Sequence, residues 1–327
     1  MERNKRMLTL KDIAAHCGVS YSTVSRAFNK DSRISESTRQ KILDYANEVH
    51  YIPNAAAISL KKNETKTVGI IIPKLSNPFY IDLLEFLERI LKKFGYRLLV
   101  SFISNGISSE ANCLESMATA RVDALIIMGC DADNQNYIHR LSNQIAILQL
   151  LSNSLPELDS VCVDDFKATI MGTQYLINRG HERILFISDS SRSESYFTAM
   201  KRNNIHKENL LSVVEKNDCD EILHQINTLH PTAVMASSVY KENAYRAIKT
   251  AGLQIPDDIS FFAFGDVQWV QLLEITAMAH NLEEISTAIV DQLVYRLKNP
   301  YNAQCPAQHL LFDTFIRERK SVKYLCQ

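Results

Sequence analysis

Apolar residues near the start of the chain fall at helical spacing, and the spacing survives an interruption. In KDIAAHCGVSYSTVSRAFN, residues 11–29, with Leu10 just before it, Leu10, Ile13 and Ala14 make one helical face. Gly18 allows the positive backbone angle that ends a helix, and Val19 and Val24 resume the apolar contacts beyond it. The pattern predicts two short helices packed across a tight turn. Ser20 stands at the N-cap of the second, running about 21 to 28, which buries Val24 and points Tyr21, Ser22, Ser25 and Arg26 outward. A third helix follows, capped by Ser35, with Glu36 at its positive end and Ile42, Ala46 and Val49 on its inner face. Three helices this close make a helix-turn-helix module, whose second helix enters the major groove of DNA with its N-terminal residues at the base edges.

Past Tyr51-Ile52-Pro53 the pattern changes twice. NAAAISLKKNETKTVG begins with an alanine-rich stretch of roughly two turns, too short to be helical alone, so it forms only when something pairs with it. From residue 66 onward, short apolar runs (TVGIIIP, YRLLVSFI, DALIIMG, IAILQLL, RILFIS, TAVMA, DISFFAF) alternate with amphipathic segments such as FYIDLLEFLERILKKFG. That alternation predicts βαβ units and parallel sheets, two in succession, with the chain crossing back near residues 280 and 305. A ligand in such a body lies at the carboxyl ends of the strands. The loops KLSNPFY, SDSSRSESY, ASSVY and GDVQW are the candidate pocket.

Composition sharpens this picture only in places. The 327 residues, 46% apolar and 22% charged, suit a globular chain of two or three domains. No run reaches the roughly 18 apolar residues of a membrane span, and MERNKRMLTLKD has no apolar core of a signal peptide, so the cytoplasm is expected. Seven scattered cysteines without C-x-x-C point to reduced thiols, not disulfides or zinc. The net charge of -1 hides an asymmetry: residues 1–66 hold twelve Lys/Arg against seven Asp/Glu, a charge of +5, and the remainder carries -6. A basic head beside the helix-turn-helix pattern agrees with a nucleic-acid partner. The nine glycines form no phosphate loop or dinucleotide fingerprint, and neither G-x-S-x-G nor H-E-x-x-H occurs. His181 is read as a hydrogen-bonded turn histidine, and Asp164-Asp165 as a helix start. No catalytic residue, cofactor or metal is expected.

The segments TLKDIAAHCGVSYSTVSRAFN, ISESTRQKI, YIPNAAAISLKK, TKTVGIIIP, SNPFY, VDALIIMG, YLINRGHERILFIS and AGLQIPDDISFFAFGD occur in order. Through them the chain resembles the lactose/galactose repressor family of bacterial transcription regulators, from about Leu8 to Val322. The resemblance implies an all-α helix-turn-helix head over 8–53, a hinge helix and linker over 54–66, and a two-lobed α/β body over 67–320. That body is of the type I periplasmic-binding-protein-like kind, with parallel sheets. Tyr21 and Ser22 then read bases, and Thr23, Ser25 and Asn29 fall where the scaffold holds phosphates. Arg26, Arg33 and Asn54 join the DNA-binding set. The hinge helix pairs with its dimer mate in the minor groove, Leu60 is the wedge between base pairs, and Lys61 touches the backbone or the groove. Two positions depart from the family: Ile58 replaces a frequent basic residue, and Ser32 stands where a relative carries a base-reading arginine, a role that passes to Arg33.

In the body, the resemblance puts Asn77 and Phe79 beside the ligand and aligns Arg192 with an arginine that binds it. Arg192 has an equal claim as a surface residue near a helix start, because the loop before it is shorter than usual. Ser238, Asp266 and Trp269 complete the candidate effector set. Trp269 either stacks on a ligand or fills the lobe interface, and Asp266 more often supports its own turn. Sugar-binding relatives place one Asp in the loop that here reads Ala236-Ser237-Ser238-Val239, and another where this chain has Gly265. Carboxylates grip vicinal hydroxyls by accepting two hydrogen bonds, a geometry serine and glycine lack. A typical neutral sugar is therefore not expected. An anionic effector drawn to Arg192, a protein partner, or no effector all remain open. The expected protein is a homodimeric repressor of a near-palindromic double-stranded DNA operator, controlled by a small molecule in the cleft. A receptor or metabolic enzyme with a vestigial head is the alternative. The end of the chain, YLCQ, carries no leucine heptad, so a dimer is expected over a tetramer.

Overall fold

A computed structural model of the chain describes residues 8–28, 33–52, 64–73, 77–103, 109–205, 213–214, 217–237, 239–301 and 305–325. The chain divides into two compact units, Met1–Thr65 and Lys66–Gln327.

The first unit holds α1 (Leu10–Cys17), α2 (Tyr21–Phe28) and α3 (Glu36–Glu48). A capping box starts α1: Thr9 Oγ1 accepts from the Asp12 N–H while the Asp12 carboxylate accepts from the Thr9 N–H. Gly18 ends it at φ +69°, its N–H donating to the Ala14 carbonyl. Ile13, Ala14, Cys17, Val24, Ala27, Ile42 and Ala46 close a small core. Val49 was expected on the inner face but is only half-buried, because it is the C-cap residue past the last full turn. The stretch read as a hinge helix, residues 54–63, lies outside the described residues.

The second unit has two six-stranded sheets. Lobe 1 contains β1 (Thr67–Ile72), β2 (Arg97–Phe102), β3 (Ala124–Ile127), β4 (Ala146–Leu150), β5 (Asp159–Val163) and β11 (His309–Phe312), ordered β11-β5-β4-β3-β1-β2. Lobe 2 contains β6 (Ile184–Ile187), β7 (Val213–Val214), β8 (Ala233–Ala236), β9 (Ser260–Phe264), β10 (Thr276–Ala279) and β12 (Phe315–Arg317), ordered β12-β10-β9-β8-β6-β7. Every pairing is parallel except β10 with β12.

Helices cover both faces of each sheet, which is why the central strands read as unbroken apolar runs. In β1, Val68, Ile70 and Ile72 face the core shared with α4 (Pro78–Lys93) and α12 (Leu282–Lys298). Ile71 faces the opposite core, with α5 (Glu110–Thr119) and α6 (Gln135–Ser142). A Cβ at Gly69 would sit 2.8 Å from Met117 Sδ and 3.1 Å from Leu125 Cδ1, so a larger residue there would require these side chains to shift. In lobe 2, α7 (Asp165–Ile177) and α8 (Ser193–Arg202) cover one face. The other face is covered by α9 (Cys219–Leu229), α10 (Lys241–Thr250) and the short α11 (Gln268–Leu272).

The chain crosses between the lobes three times: from β5 to α7, from β10 to α12, and from β11 to β12. The crossing expected near residue 305 therefore falls at Asp313-Thr314. After α12 the chain first adds β11 beside β5 and only then leaves lobe 1. Two crossings are bound side by side, the Asp164 N–H donating to the Phe312 carbonyl at 3.1 Å and Lys167 pairing with Asp313 at 2.6 Å.

Candidate nucleic-acid interface and effector cleft

Ser20 organises the start of α2. Its Oγ accepts from the Thr23 N–H at 3.2 Å and lies 2.7 Å from Ser22 Oγ and 2.8 Å from Thr23 Oγ1. The run of hydroxyls is thus a cap that fixes the first turn of the helix. Tyr21 is 48% exposed, Ser22 is exposed, and Thr23 and Arg26 are half-buried. Arg33 is exposed ahead of α3. Ser25 departs from expectation: read as outward-facing, it is only 8% exposed. In so compact a head the covered face of α2 is wide, and a small side chain next to Val24 falls within it. Asn29, Asn54, Leu60 and Lys61 lie outside the described residues.

The cleft is framed by the ends of β1 and of the lobe 2 strands. Asn77 caps α4, its Oδ1 accepting from the Phe79 N–H at 3.1 Å, and Pro78 takes the first helical position. The Phe79 ring meets the His280 ring edge-on across the lobes, centroids 5.9 Å apart. Arg192 is 15% exposed; its Nη2 donates to Asp165 Oδ1 at 2.7 Å, and its guanidinium lies 5.4 Å from the Phe264 ring. It is therefore not an ordinary surface arginine. Asp164 caps α7 by accepting from the Lys167 N–H, as the helix-start reading expects, and the neighbouring Asp165 reaches Arg192.

Asp266 supports its own surroundings. Its carboxylate is 2.8 Å from Arg319 Nη2, and its carbonyl accepts from Gln271 Nε2. Trp269 packs against the Tyr245 side of lobe 2's own core, and its Nε1–H donates to Glu242 Oε1 at 3.1 Å, so the ring fills lobe 2 and not the lobe interface. Ser238 lies outside the described residues. His181 is fully buried, with Nδ1 3.0 Å from Thr232 Oγ1 and Nε2 3.1 Å from the Lys323 carbonyl. Burial lowers its pKa below the ordinary histidine value.

Among the described residues, several buried polar atoms in this part of lobe 2 have no hydrogen-bond partner: Ser188 Oγ after β6, Arg192 Nε and Ser193 Oγ at the start of α8, Asp266 Oδ1 after β9 and His280 Nδ1 after β10. Buried polar groups are ordinarily paired, and this set lies near the carboxyl ends of parallel strands, where ligands of such sheets bind. Burial also lowers the pKa of His280, with Asp165 opposing the shift.

Comparison with known proteins agrees with both parts. Residues 9–54 match the bacterial regulatory proteins of the lacI family, and residues 65–297 match the periplasmic binding proteins and sugar binding domain of the same family. The chain belongs to the lacI family of bacterial regulatory proteins. The ribose operon repressor of Escherichia coli (strain K12) is 30% identical, over 96% of this chain and 100% of that protein. The transcriptional repressor PurR of Photobacterium profundum is 26% identical, over 90% of this chain and 93% of that protein. Among solved structures, a lac repressor dimer bound to operator and the anti-inducer ONPF superposes at a TM-score of 0.82, with 22% identity, over 97% of this chain and 100% of that one. As a member of this family, the chain is a DNA-binding transcriptional repressor under effector control.

Within that family frame, the structure gathers Phe79 and Arg192 at the cleft and commits Asn77, Asp266 and Trp269 to caps, turns and lobe packing. Sequence reasoning did not single out three buried or paired polar side chains of this region. His280 follows β10, whose run TAMA lacks the Val, Ile, Leu or Phe that make the other central strands stand out. Asp165 was read only as a helix start. Lys241, the first residue of α10, is 1% exposed, although a lysine in a first helical turn ordinarily projects into water. Burial lowers its pKa and the Glu242 carboxylate opposes that. No spacing in the sequence signals that placement.

Proposed function

We propose that the chain acts as a homodimer that grips a near-palindromic operator through the first turn of α2 in each head, and that a small molecule in the cleft sets its affinity. The observation that carries this reading is the capped, exposed Tyr21–Ser22 turn, because side chains fixed at a helix N-terminus are what a major groove admits. The dimer reading draws on lobe 1. There β2 is an open sheet edge, and Leu99 and Phe102 on it, with Ile81 on α4, are exposed apolar side chains beside a groove lined by Leu84, Phe86 and Val100. Open edges and apolar patches of this kind are normally covered. The solved lac repressor relative is a dimer on its operator. We read the protein as a cytoplasmic regulator and not an enzyme; among the described residues no helix is long and apolar enough to cross a membrane.

The effector contacts assigned to Phe79 and Arg192, and the DNA contacts assigned to Tyr21, Ser22, Thr23, Arg26 and Arg33, belong to this proposal. The wedge role of Leu60 and the groove contact of Lys61 rest on the sequence resemblance alone. The test is selection of binding sites from random duplex DNA, followed by anisotropy titration on the selected sequence. A two-fold-symmetric consensus bound at least about a thousandfold more tightly than random DNA is the expected result. Uniform binding to all sequences would reject the operator reading.

A further inference from the structure

The second crossing between the lobes begins at His280. This residue follows β10 of lobe 2, and its neighbour Asn281 caps α12 of lobe 1 by accepting from the Glu284 N–H. The His280 ring meets the Phe79 ring at 77°, with centroids 5.9 Å apart, and Phe79 packs on the lobe 1 core. A neutral imidazole against a phenyl ring thus joins the lobes at one of the places where the chain itself does. Its Nδ1 is buried and has no hydrogen-bond partner.

Charges on the elements around it act in opposite directions. Asp165, the first residue of α7, favours the protonated ring, and Arg192, just before α8, opposes it. From lobe 1, Phe79 carries no charge and the neighbouring Tyr80 is a neutral phenol, its pKa raised by burial. On the crossing itself, Glu284 is turned to Asn281, whose Nδ2 donates to it at 3.0 Å. Asp165 is committed to Arg192, which donates to its Oδ1 at 2.7 Å. A proton added to the imidazole makes both of its nitrogens donors. It leaves an N–H at Nδ1 without an acceptor and sets a positive charge against that of Arg192, and an unpaired buried charge costs more than an unpaired neutral nitrogen. Water and the half-exposed Asp165 carboxylate are the acceptors the ring lacks, and it must give up its place against Phe79 to reach them.

We infer that His280 is an acid-triggered release between the lobes: neutral, it holds them together through Phe79, and protonated, it leaves that contact and favours their separation. Closure then excludes a proton that the open form accepts. Burial holds His280 below the ordinary value of 6.5, so closure is unopposed above that value and loses ground as pH falls below it. One proton shifts the open-to-closed ratio by up to about tenfold per pH unit. The release stands apart from the effector reading; its effect on DNA rests on the cleft setting operator affinity.

The experiment uses the full chain between pH 8 and pH 5.5. Small-angle X-ray scattering follows the radius of gyration and operator anisotropy follows DNA binding, with forward scattering to show constant mass and circular dichroism to show that the chain is folded at each pH. The wild type is compared with His280→Gln, which cannot take up a charge, with His280→Arg, which cannot lose one, and with Asp165→Asn. The wild type should expand reversibly as pH falls below about 6.5, and Asp165→Asn should need a lower pH. His280→Gln should keep one radius across the range, and His280→Arg should be expanded already at pH 8. Operator affinity of the wild type should part from that of His280→Gln at the same midpoint. An unchanged wild-type radius, or one pH profile shared by the wild type and His280→Gln, overturns the release. Expansion while the two proteins match in operator affinity leaves the release intact and overturns the cleft's control of the heads.

Discussion

Ser20 shows how much one side chain does in this head: a single Oγ caps α2 and meets the hydroxyls of both Ser22 and Thr23. Ser20→Ala should cost about 1 kcal/mol of head stability and loosen the turn that presents Tyr21, seen as an early melting phase and weaker operator binding. Tyr21→Ala tests the neighbouring role. It should change the preferred base at its contact by about 1–3 kcal/mol in a site-selection experiment, and an unchanged consensus would place the readout elsewhere. His181 and His280 give a pH prediction. Both are held below the ordinary histidine value of 6.5 by burial, so the unfolded chain binds protons that the folded chain resists. Their contribution to stability is complete above that value and is lost as pH falls below it toward the folded pKa values. Melting temperature should drop between pH 7 and pH 5.5, and His181→Gln should flatten part of the drop. The Ser20 cap and the buried turn at His181 were legible because caps and turns are local chemistry. The burial of Ser25 and of Lys241 was not, since burial is set by tertiary packing and not by local sequence.

At the level of elements, the seven apolar runs all became strands: the central ones because a strand covered on both faces reads as an unbroken apolar run, and the half-exposed edge strand β2 through its Leu98, Leu99 and Val100. The strands β5, β10, β11 and β12 were less legible. β5 carries Asp159 and Ser160, β10 (TAMA) has none of the Val, Ile, Leu or Phe that mark the other central strands, and β11 and β12 are half-exposed edges. The Asp159 in β5 explains how the β11 edge is fixed. Arg296 on α12 and Asp159 are each 1% exposed and bond at 2.7 and 2.9 Å, while the same guanidinium donates to the carbonyls of Asn299, Cys305 and Pro306. Asp159 also accepts from the Gln308 N–H, at the threshold of β11. Replacing one partner leaves the other charge buried, so Arg296→Met should destabilise the body by about 3–5 kcal/mol, measured by urea denaturation. A loss below about 1 kcal/mol would mean that the pair is open to solvent.

For the whole molecule, the open β2 edge and the apolar side chains of α4 are the surface on which the dimer reading stands. Phe102→Asp together with Ile81→Lys should shift the sedimenting species from dimer to monomer at micromolar concentration and lower operator affinity by at least about tenfold, with the melting temperature little changed. A double variant that stays dimeric would move the interface to another face. The two-lobed body was legible as alternation, but its wiring was not, because the third crossing waits for β11 to be laid down. That wiring bears on how the protein is made. Lobe 1 is assembled from residues before 164 and after 280, with all of lobe 2 but its last strand encoded between them. On the ribosome, the sheet begun first therefore waits for its last strand until all but one strand of the other sheet has been made. A message cut short before codon 309 would yield a helix-turn-helix head attached to two unfinished sheets, with neither lobe able to take its final shape.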